Sequence, residues 1–330
     1  MKDIARVKKE NNPGKRPGVV VSALQDFILR YPDYADFFKK KYAQTTTILF
    51  VPKGMRIEED VAFHLLEQKK DRIYSRKIII IAEEYSHLKT CVTLIVETVA
   101  SHWPIESIDF FIRTGAQLDF LYDDQVPLFS NRVGERFLIS FYLESRACVN
   151  CYVSILDDIA IQNNFEFFLL GSHAKANIEG FYLMADCQQL QLRVALHHEA
   201  RYTESRLAIN GIVAGNADVF FKGAVFVSKE AQCCRVAQKN KTLLVGDTAT
   251  VSSSPALEIL NNDVCCQHGS AVGNLDENHL FYLQARGMSE AQAKKILIEG
   301  FFDFLLKTLD NHGLKEDLLR RLKVKMRQIL

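Results

Sequence analysis

Two thiols and an imidazole lie within four positions of one another in the last third of the chain. Cys265, Cys266 and His268 follow a strand-like run and precede the first of the C-terminal helices. Cys266 and His268 are two positions apart, so they lie on the same face if the strand persists. Thiolate sulfur and imidazole nitrogen are ligands suited to iron or zinc. Because two ligands do not fill a tetrahedral site, the pattern is either accidental or part of a site that another chain completes.

A second candidate is the run His197-His198-Glu199, because an imidazole beside a carboxylate can do acid/base chemistry. Adjacent residues on a strand face opposite ways, so only one of the two histidines can point into a given site. This favours a histidine at the surface or at a corner of the fold over a catalytic one.

The remaining cysteines do not form a recognisable metal-binding set. Cys148 and Cys151 have the spacing of zinc ligands, but residues three apart on a strand face opposite sides, and a second such pair is missing. The adjacent pairs at 233–234 and 265–266 each offer at most one thiol to a shared site, the other being buried as a small hydrophobe. The nucleotide-binding patterns GxxxxGK[ST] and GxGxxG and the hydrolase patterns GxSxG and HExxH are also absent. We therefore expect neither ATP hydrolysis nor other enzymatic activity from this chain.

The overall charge argues against two classes of protein. The 41 basic and 40 acidic residues give a formal net charge of +1, whereas nucleic-acid binders and polybasic membrane proteins need an excess of Lys and Arg. The basic N-terminus has no apolar segment of a secretory signal, and no apolar run reaches the roughly 18 residues of a membrane span. We expect a cytoplasmic protein with reduced cysteines and contacts to neither membrane nor nucleic acid.

Short runs rich in Ile, Val, Phe, Thr and Tyr fill residues 45–273 and predict a mainly β core. A small residue opens several of them, and the spacing from Ala116 to Ala147 to Ala176 is 31 and 29 residues. Such a period favours a right-handed parallel β-helix, although a β-sandwich explains the pattern nearly as well. We expect Gly180, Gly211 and Gly223 to occupy tight corners of the coils.

Helical segments are predicted at both ends of the core. Residues 1–44 form a flexible lead and a helix from Ser22 to about Tyr42, interrupted at Pro32. Residues 274–330 form a C-terminal helical domain. In it Asp276 caps one helix, a capping box over 289–292 opens the next, and a last helix over 314–330 carries a basic face that is solvated or meets an acidic partner.

An ordered set of motifs resembles the SufB/SufD proteins of the SUF iron–sulfur cluster assembly system. The matching residues are, in order, His198 and Ser205; Val219 to Val227; Ala231-Gln232 and Ala237 to Val245; Pro255 to Ile259; Asp263-Val264; Cys266; His268-Gly269; Val272-Gly273; Leu280 to Leu283; and Arg286-Gly287. His268 is followed by glycine, where SufB proteins typically have glutamate, so the details are closer to SufD.

The resemblance implies a β-helix with small helical ends that pairs with a SufB-like subunit and docks a SufC-like ATPase. A nascent iron–sulfur cluster would form transiently at the interface with SufB, with His268 and Cys266 as candidate ligands and no permanently bound cofactor. Leu280, Phe281, Tyr282, Arg286 and Phe301 would contribute to the ATPase dock.

Two other functions remain open at this point. One is a β-helix enzyme that uses His198 and Glu199. The other is a stand-alone homodimeric metal or sulfur carrier that uses Cys265 and Cys266.

Overall fold

The structure, a computed structural model, describes residues 20–32, 46–64, 76–95, 105–125, 136–156, 162–306 and 320–326. In these residues the chain winds into a parallel β-helix whose coils alternate between two sheets. Sheet A consists of β1 (Val20–Ala23), β2 (Thr47–Val51), β4 (Arg76–Ala82), β6 (Ile105–Ile112), β8 (Arg136–Leu143), β10 (Gln162–Leu169), β12 (Gln189–His198), β14 (Asp218–Val227) and β16 (Thr250–Ile259). Sheet B consists of β3 (Arg56–His64), β5 (His87–Ile95), β7 (Gln117–Gln125), β9 (Cys148–Ile155), β11 (Lys175–Met184), β13 (Glu204–Ala214), β15 (Cys234–Val245) and β17 (Val264–Asn274).

The interior of the β-helix is built from residues at alternate positions of each strand. In β12, buried and solvent-facing residues alternate along the sequence QLQLRVALHH, the period that a strand dictates. Equivalent residues of successive coils lie in register, so identical side chains stack. The rings of Phe110, Phe141 and Phe167 stack nearly parallel, with centroids 4.8 and 4.5 Å apart. The parallel pairing confirms the β-helix over the β-sandwich.

One corner of the coils is held by a repeated left-handed residue. Positive φ angles recur there every 27 to 31 residues, at Gly54, Tyr85, Gly115, Arg146, His173, Tyr202 and Cys233. Each backbone N–H donates to a carbonyl of the next coil, as from Arg146 to Ser172 (2.9 Å). This hydrogen bond repeats from coil to coil and offsets the strain of a left-handed conformation in residues other than glycine.

The prediction that Gly180, Gly211 and Gly223 lie at corners is wrong. All three lie inside strands, in β11, β13 and β14. A Cβ on Gly180 would lie 2.7 Å from the Val153 carbonyl oxygen, and one on Gly211 would overlap the Tyr182 ring. These glycines are needed because atoms of neighbouring strands occupy the space of a Cβ, a backbone carbonyl at Gly180 and side chains at Gly211 and Gly223.

At the N-terminal end, β1 pairs antiparallel with β2 and is followed by helix α1 (Leu24–Arg30). Ser22 lies in β1 and does not cap the helix, because the β-branched run before it extends sheet A. Phe27 of α1 is fully buried against the outer side of sheet A. Helix α1 ends at Arg30, ahead of Pro32, and residues 33–42 of the predicted helix lie outside the described residues.

At the C-terminal end, helices α2 (Glu277–Ala285) and α3 (Glu290–Leu306) follow β17 directly. The predicted caps are present: the Asp276 carboxylate accepts from two backbone N–H groups of α2, and Ser289 and Gln292 exchange hydrogen bonds of 2.9 and 3.3 Å. A further helical stretch covers 320–326. None of the described helices is long and apolar enough to cross a membrane.

The C-terminal helices pack on the outer face of sheet B. Ile298 of α3 and Leu322 and Met326 of the last stretch are buried against an apolar cluster on that sheet, consisting of Leu156, Phe181, Leu183, Ile212, Ala214 and Val245. Part of the basic face that was predicted to be solvated is buried. Lys325 is buried, and Arg321 forms an ion pair of 2.5 Å with the buried carboxylate of Asp123.

Candidate functional site

The last coil, formed by β16 and β17, is the open end of the β-helix. Each strand is the terminal member of its sheet, so in the described part of the chain nothing lies above it. Inward-facing residues that are fully buried in earlier coils become accessible here, and Ile259 and Val272 are 36% and 42% exposed. Leu260, just after β16, is 56% exposed. An apolar, strand-edged surface of this kind is typical of a protein interface.

Proline modifies the free edge of β16. The N–H groups of Thr250 and Leu260 donate to carbonyls of the preceding coil. Both residues have even numbers, like the outward-facing residues of β16. Pro255 has the opposite parity and lies in register with Gly223 of β14, so its nitrogen faces the free edge. Because proline has no N–H, the middle of this edge lacks one hydrogen-bond donor.

Cys266 and His268 belong to the inward-facing row of β17. The register places them next to Val236 and Gln238 of β15, both of which are buried. Cys266 is half-buried against the core, whereas His268 is exposed. Cys265 and Gln267 alternate with them and face outward. The fold therefore brings the two predicted ligands to one face at the open end and turns Cys265 away from them.

The side chains of Cys266 and His268 carry donor atoms of the kind that bind a metal cation. Burial, together with the neighbouring Cys265, raises the pKa of the Cys266 thiol, so the free thiol is neutral. Metal coordination deprotonates such a thiol, and sulfur with imidazole nitrogen is a donor set for iron. Among the described residues, no group of three or more His, Cys, Asp and Glu side chains is close enough to hold a metal. Within the described part of the chain, Cys266 and His268 alone therefore do not make up a metal site.

A polar layer beneath the last coil was missed by sequence reasoning. Gln238, Asn240 and Thr242 are inward-facing and buried on β15, and the Thr242 hydroxyl is 2.6 Å from the Tyr182 hydroxyl. Ser253 of β16 donates to Asn240 (3.2 Å) and lies 2.8 Å from the Ser270 hydroxyl. The signal in the sequence is the alternation of polar residues at positions 238, 240 and 242 of a strand whose other inward positions are apolar.

His198 and Glu199 do not form an acid/base pair. His198 is fully buried inside the β-helix, with its Nδ1 2.7 Å from the Thr203 hydroxyl and its Nε2 2.8 Å from that of Ser205. Burial, and to a smaller extent His197, lowers the pKa of His198 to about 4, so it is neutral. Glu199 is exposed, and the His197 ring stacks in an outer column of aromatic rings. The enzyme hypothesis therefore lacks a site at these residues.

The other cysteines also lie on different faces. Cys151 is buried inside the β-helix and Cys148 faces outward, while Cys234 is buried and Cys233 lies exposed at the left-handed corner. The seven cysteines whose side chains the structure describes are free thiols.

Residues 64–301, from the end of β3 into α3, match the family model described as "SUF system FeS cluster assembly, SufBD core domain". This chain belongs to the SufBD family. The family takes part in iron–sulfur cluster assembly.

Similar proteins carry both SufD and SufB names. The iron–sulfur cluster assembly protein SufD of Escherichia coli (strain K12) is 29% identical over 168 residues, which cover 51% of this chain and 40% of that protein. Protein ABCI7, chloroplastic, of Arabidopsis thaliana is 23% identical over 319 residues (93% and 66%). The iron–sulfur cluster assembly protein SufB of Bacillus subtilis (strain 168) is 22% identical over 266 residues (80% and 56%). The matches thus span between 40% and 66% of the length of these relatives.

The residues predicted to dock a partner of this SufBD-family chain fall into two groups. Phe281 and Tyr282 of α2 are 72% and 55% exposed, Leu280 is half-buried, and the Arg286 guanidinium lies 5.0 Å from the centre of the Tyr282 ring. Phe301 is half-buried and packs on the cluster that joins α3 to sheet B. The exposed patch on α2 and its C-cap therefore consists of Phe281, Tyr282 and Arg286, whereas Phe301 helps to fix α3 to the β-helix.

Proposed function

We propose that this chain is a SufD-like, non-enzymatic scaffold subunit of a SufBCD-type complex. In this role it supports ATP-driven iron–sulfur cluster assembly at its interface with a SufB-like subunit. The observation that carries the proposal is the open last coil, which presents Cys266 and His268 in one inward-facing row, with nothing above them in the described part of the chain.

The open end fits a second β-helix as its partner. Strand edges and accessible apolar residues such as Val272 and Ile259 are buried when another sheet end covers them. Iron and sulfide are the cargo of this interface. His268 supplies a borderline imidazole ligand and Cys266 a soft sulfur ligand from one side, and the SufB-like partner supplies the remaining ligands.

The C-terminal helices fit the role of a lever. The exposed aromatic patch of α2 would receive a SufC-like ATPase, which brings the ATP hydrolysis that this chain lacks. Movement of the ATPase would reach the open end because α2 follows β17 without a break and α3 is held to sheet B through Ile298. Two such subunits side by side would transmit the closing of two ATPases to their shared interface.

The ligand role is tested by His268→Ala in the chain co-expressed with a SufB-like subunit and a SufC-like ATPase. We expect the complex to assemble with normal stoichiometry but to lose most of its cluster, measured by visible absorption and by iron and acid-labile sulfide. Gln267→Ala is the matched control, because Gln267 is also exposed but belongs to the outward-facing row of β17. Normal cluster content in His268→Ala contradicts the ligand role.

The ATPase dock is tested by Phe281→Ala, which removes an exposed ring from α2 without opening a cavity. We expect co-purification of the ATPase to fall while the SufB-like subunit remains bound. Leu170→Ala is the control, since Leu170 is a 49% exposed apolar residue at a corner of the β-helix. Equal retention of the ATPase by both variants would place the dock elsewhere.

A further inference from the structure

The side-chain amide of Gln238 has a hydrogen-bond partner for its nitrogen, but its oxygen has none among the described residues. Gln238 is 1% exposed, and its Nε2 donates to the Gly223 carbonyl across the interior (3.2 Å). Its Oε1 is buried and accepts no hydrogen bond from the described residues. Buried acceptors without a donor are rare in folded proteins, because they lose hydration and gain nothing in return.

The orientation of this amide is fixed. Exchanging its nitrogen and oxygen would set two oxygens against each other at Gly223, so Oε1 must be the free atom. Gly223 is part of the arrangement, since a Cβ at this position would collide with Nε2. Gly223 thus leaves room for the Gln238 amide nitrogen, and the Oε1 acceptor is not directed at the Gly223 carbonyl.

His268 is the polar side chain in register with Gln238 on the next strand. Gln238 lies in register between Leu207 of β13 and His268 of β17. Leu207 has no polar side-chain atom. The Asn240 amide, two positions along β15, donates to the Ile209 carbonyl (3.2 Å). Inward-facing neighbours of adjacent parallel strands are about 4.8 Å apart, which is within reach of an imidazole N–H.

We propose that Gln238 is a positioning residue for His268. When a partner covers the open end, His268 turns over the interior and donates one ring N–H to Gln238 Oε1. This fixes the tautomer and leaves the second ring nitrogen pointing to the interface as a ligand. Metal-binding histidines generally have such a partner for the second nitrogen, and it orients the ring. The inference rests on the proposed function, because that function makes His268 an interface ligand.

The test is the tautomer of His268 in the complex with the SufB-like subunit and the ATPase, purified without iron. Side-chain ¹⁵N shifts of selectively labelled histidines report it at alkaline pH, and the His268→Ala complex identifies the signal. In the native chain we expect one tautomer to dominate. In Gln238→Leu the ratio should change by about fivefold, the worth of one hydrogen bond between neutral groups. Gln188→Leu is the matched control, since Gln188 is also a buried glutamine but bonds to Ala185 at a distant corner.

The outcomes separate this inference from the function on which it rests. An unchanged tautomer ratio in Gln238→Leu overturns the positioning role, whatever His268→Ala does to the cluster. If Gln238→Leu does not fold, Gln238→Met keeps the length of the side chain and removes the same acceptor, so its tautomer ratio tests the same contact. A changed ratio together with normal cluster content in His268→Ala supports the positioning contact and contradicts the ligand role. A changed ratio with about tenfold faster loss of the cluster to a chelator supports both.

Discussion

Gly211→Ala should destabilise the β-helix through a single side chain. A Cβ on Gly211 would lie 2.5 Å from the Tyr182 hydroxyl oxygen and closer still to two ring carbons, whereas unstrained contacts lie at about 3.5 to 4.0 Å. Tyr182 is fully buried, so the ring cannot move into solvent. A shift of an ångström or more would break its 2.6 Å hydrogen bond with Thr242.

The expected cost follows from these two effects. Overpacking a well-packed interior costs about 1 to 3 kcal/mol, and loss of a buried hydrogen bond costs about 0.5 to 1.5 kcal/mol. We therefore expect Gly211→Ala to lower the free energy of unfolding by about 1.5 to 4.5 kcal/mol. Urea unfolding followed by far-UV circular dichroism measures this as a lower midpoint with an unchanged slope. Gly273→Ala is the control, because a Cβ there meets nothing within 4 Å, and its effect should stay within about 0.5 kcal/mol.

A double-mutant cycle decides whether the Tyr182 ring is the cause. In a Tyr182→Ala background the space opposite Gly211 is empty, so Gly211→Ala should cost almost nothing or regain stability by filling part of the cavity. An equal cost of Gly211→Ala in both backgrounds would refute the steric explanation.

Three further predictions concern a helix cap, a buried imidazole and the thiols. Asp276→Ala should cost helix α2 about 0.5 to 2 kcal/mol and raise its amide hydrogen exchange, whereas Asp276→Ser should retain most of the cap; equal exchange in both variants argues against capping. The pKa of His198 is about 4 in the fold, against an ordinary value of 6.5, so the unfolded chain binds more protons between these two pH values. The free energy of unfolding should therefore fall as the pH drops from 6.5 towards 4. In His198→Leu it should fall less steeply. Alkylation followed by mass spectrometry should modify Cys265 in the folded protein and modify Cys151 and Cys234 only after unfolding; early labelling of either buried thiol contradicts the assigned faces.

The strands and the two C-terminal caps could be predicted because their causes are local. β-branched and aromatic runs with period two identify strands, and the carboxylate of Asp276 ahead of α2 is enough to place a helix start. The period of the coils was harder to detect, because the repeated left-handed corner carries residues as different as Tyr85, Arg146 and Gly115. Backbone hydrogen bonds to the next coil stabilise this corner, and they leave no fixed residue type in the sequence.

The candidate site was predictable only as far as alternation along a strand allows. The shared face of Cys266 and His268 follows from period two, but their place at an open end depends on which described strand is the last of its sheet. The roles of Gln238 and Gly223 depend on contacts across the interior between residues 15 positions apart, which no local pattern specifies. The inward turn of Arg321 depends on Asp123, which lies 198 positions away in the sequence.

The two ends of the β-helix present different strand edges to a partner in sheet A. At the first end of sheet A, β1 runs antiparallel to β2, so this edge does not repeat the parallel edge of β16. At the other end both terminal strands are accessible, and Pro255 removes one donor from the edge of β16, so a partner cannot match that edge along its whole length. The two edges of sheet A are therefore unlike, whereas equal edges at both ends would allow copies to stack end to end into fibres. If the open end pairs with a SufB-like subunit as proposed, this difference between the edges of sheet A would favour a closed pair over polymerisation.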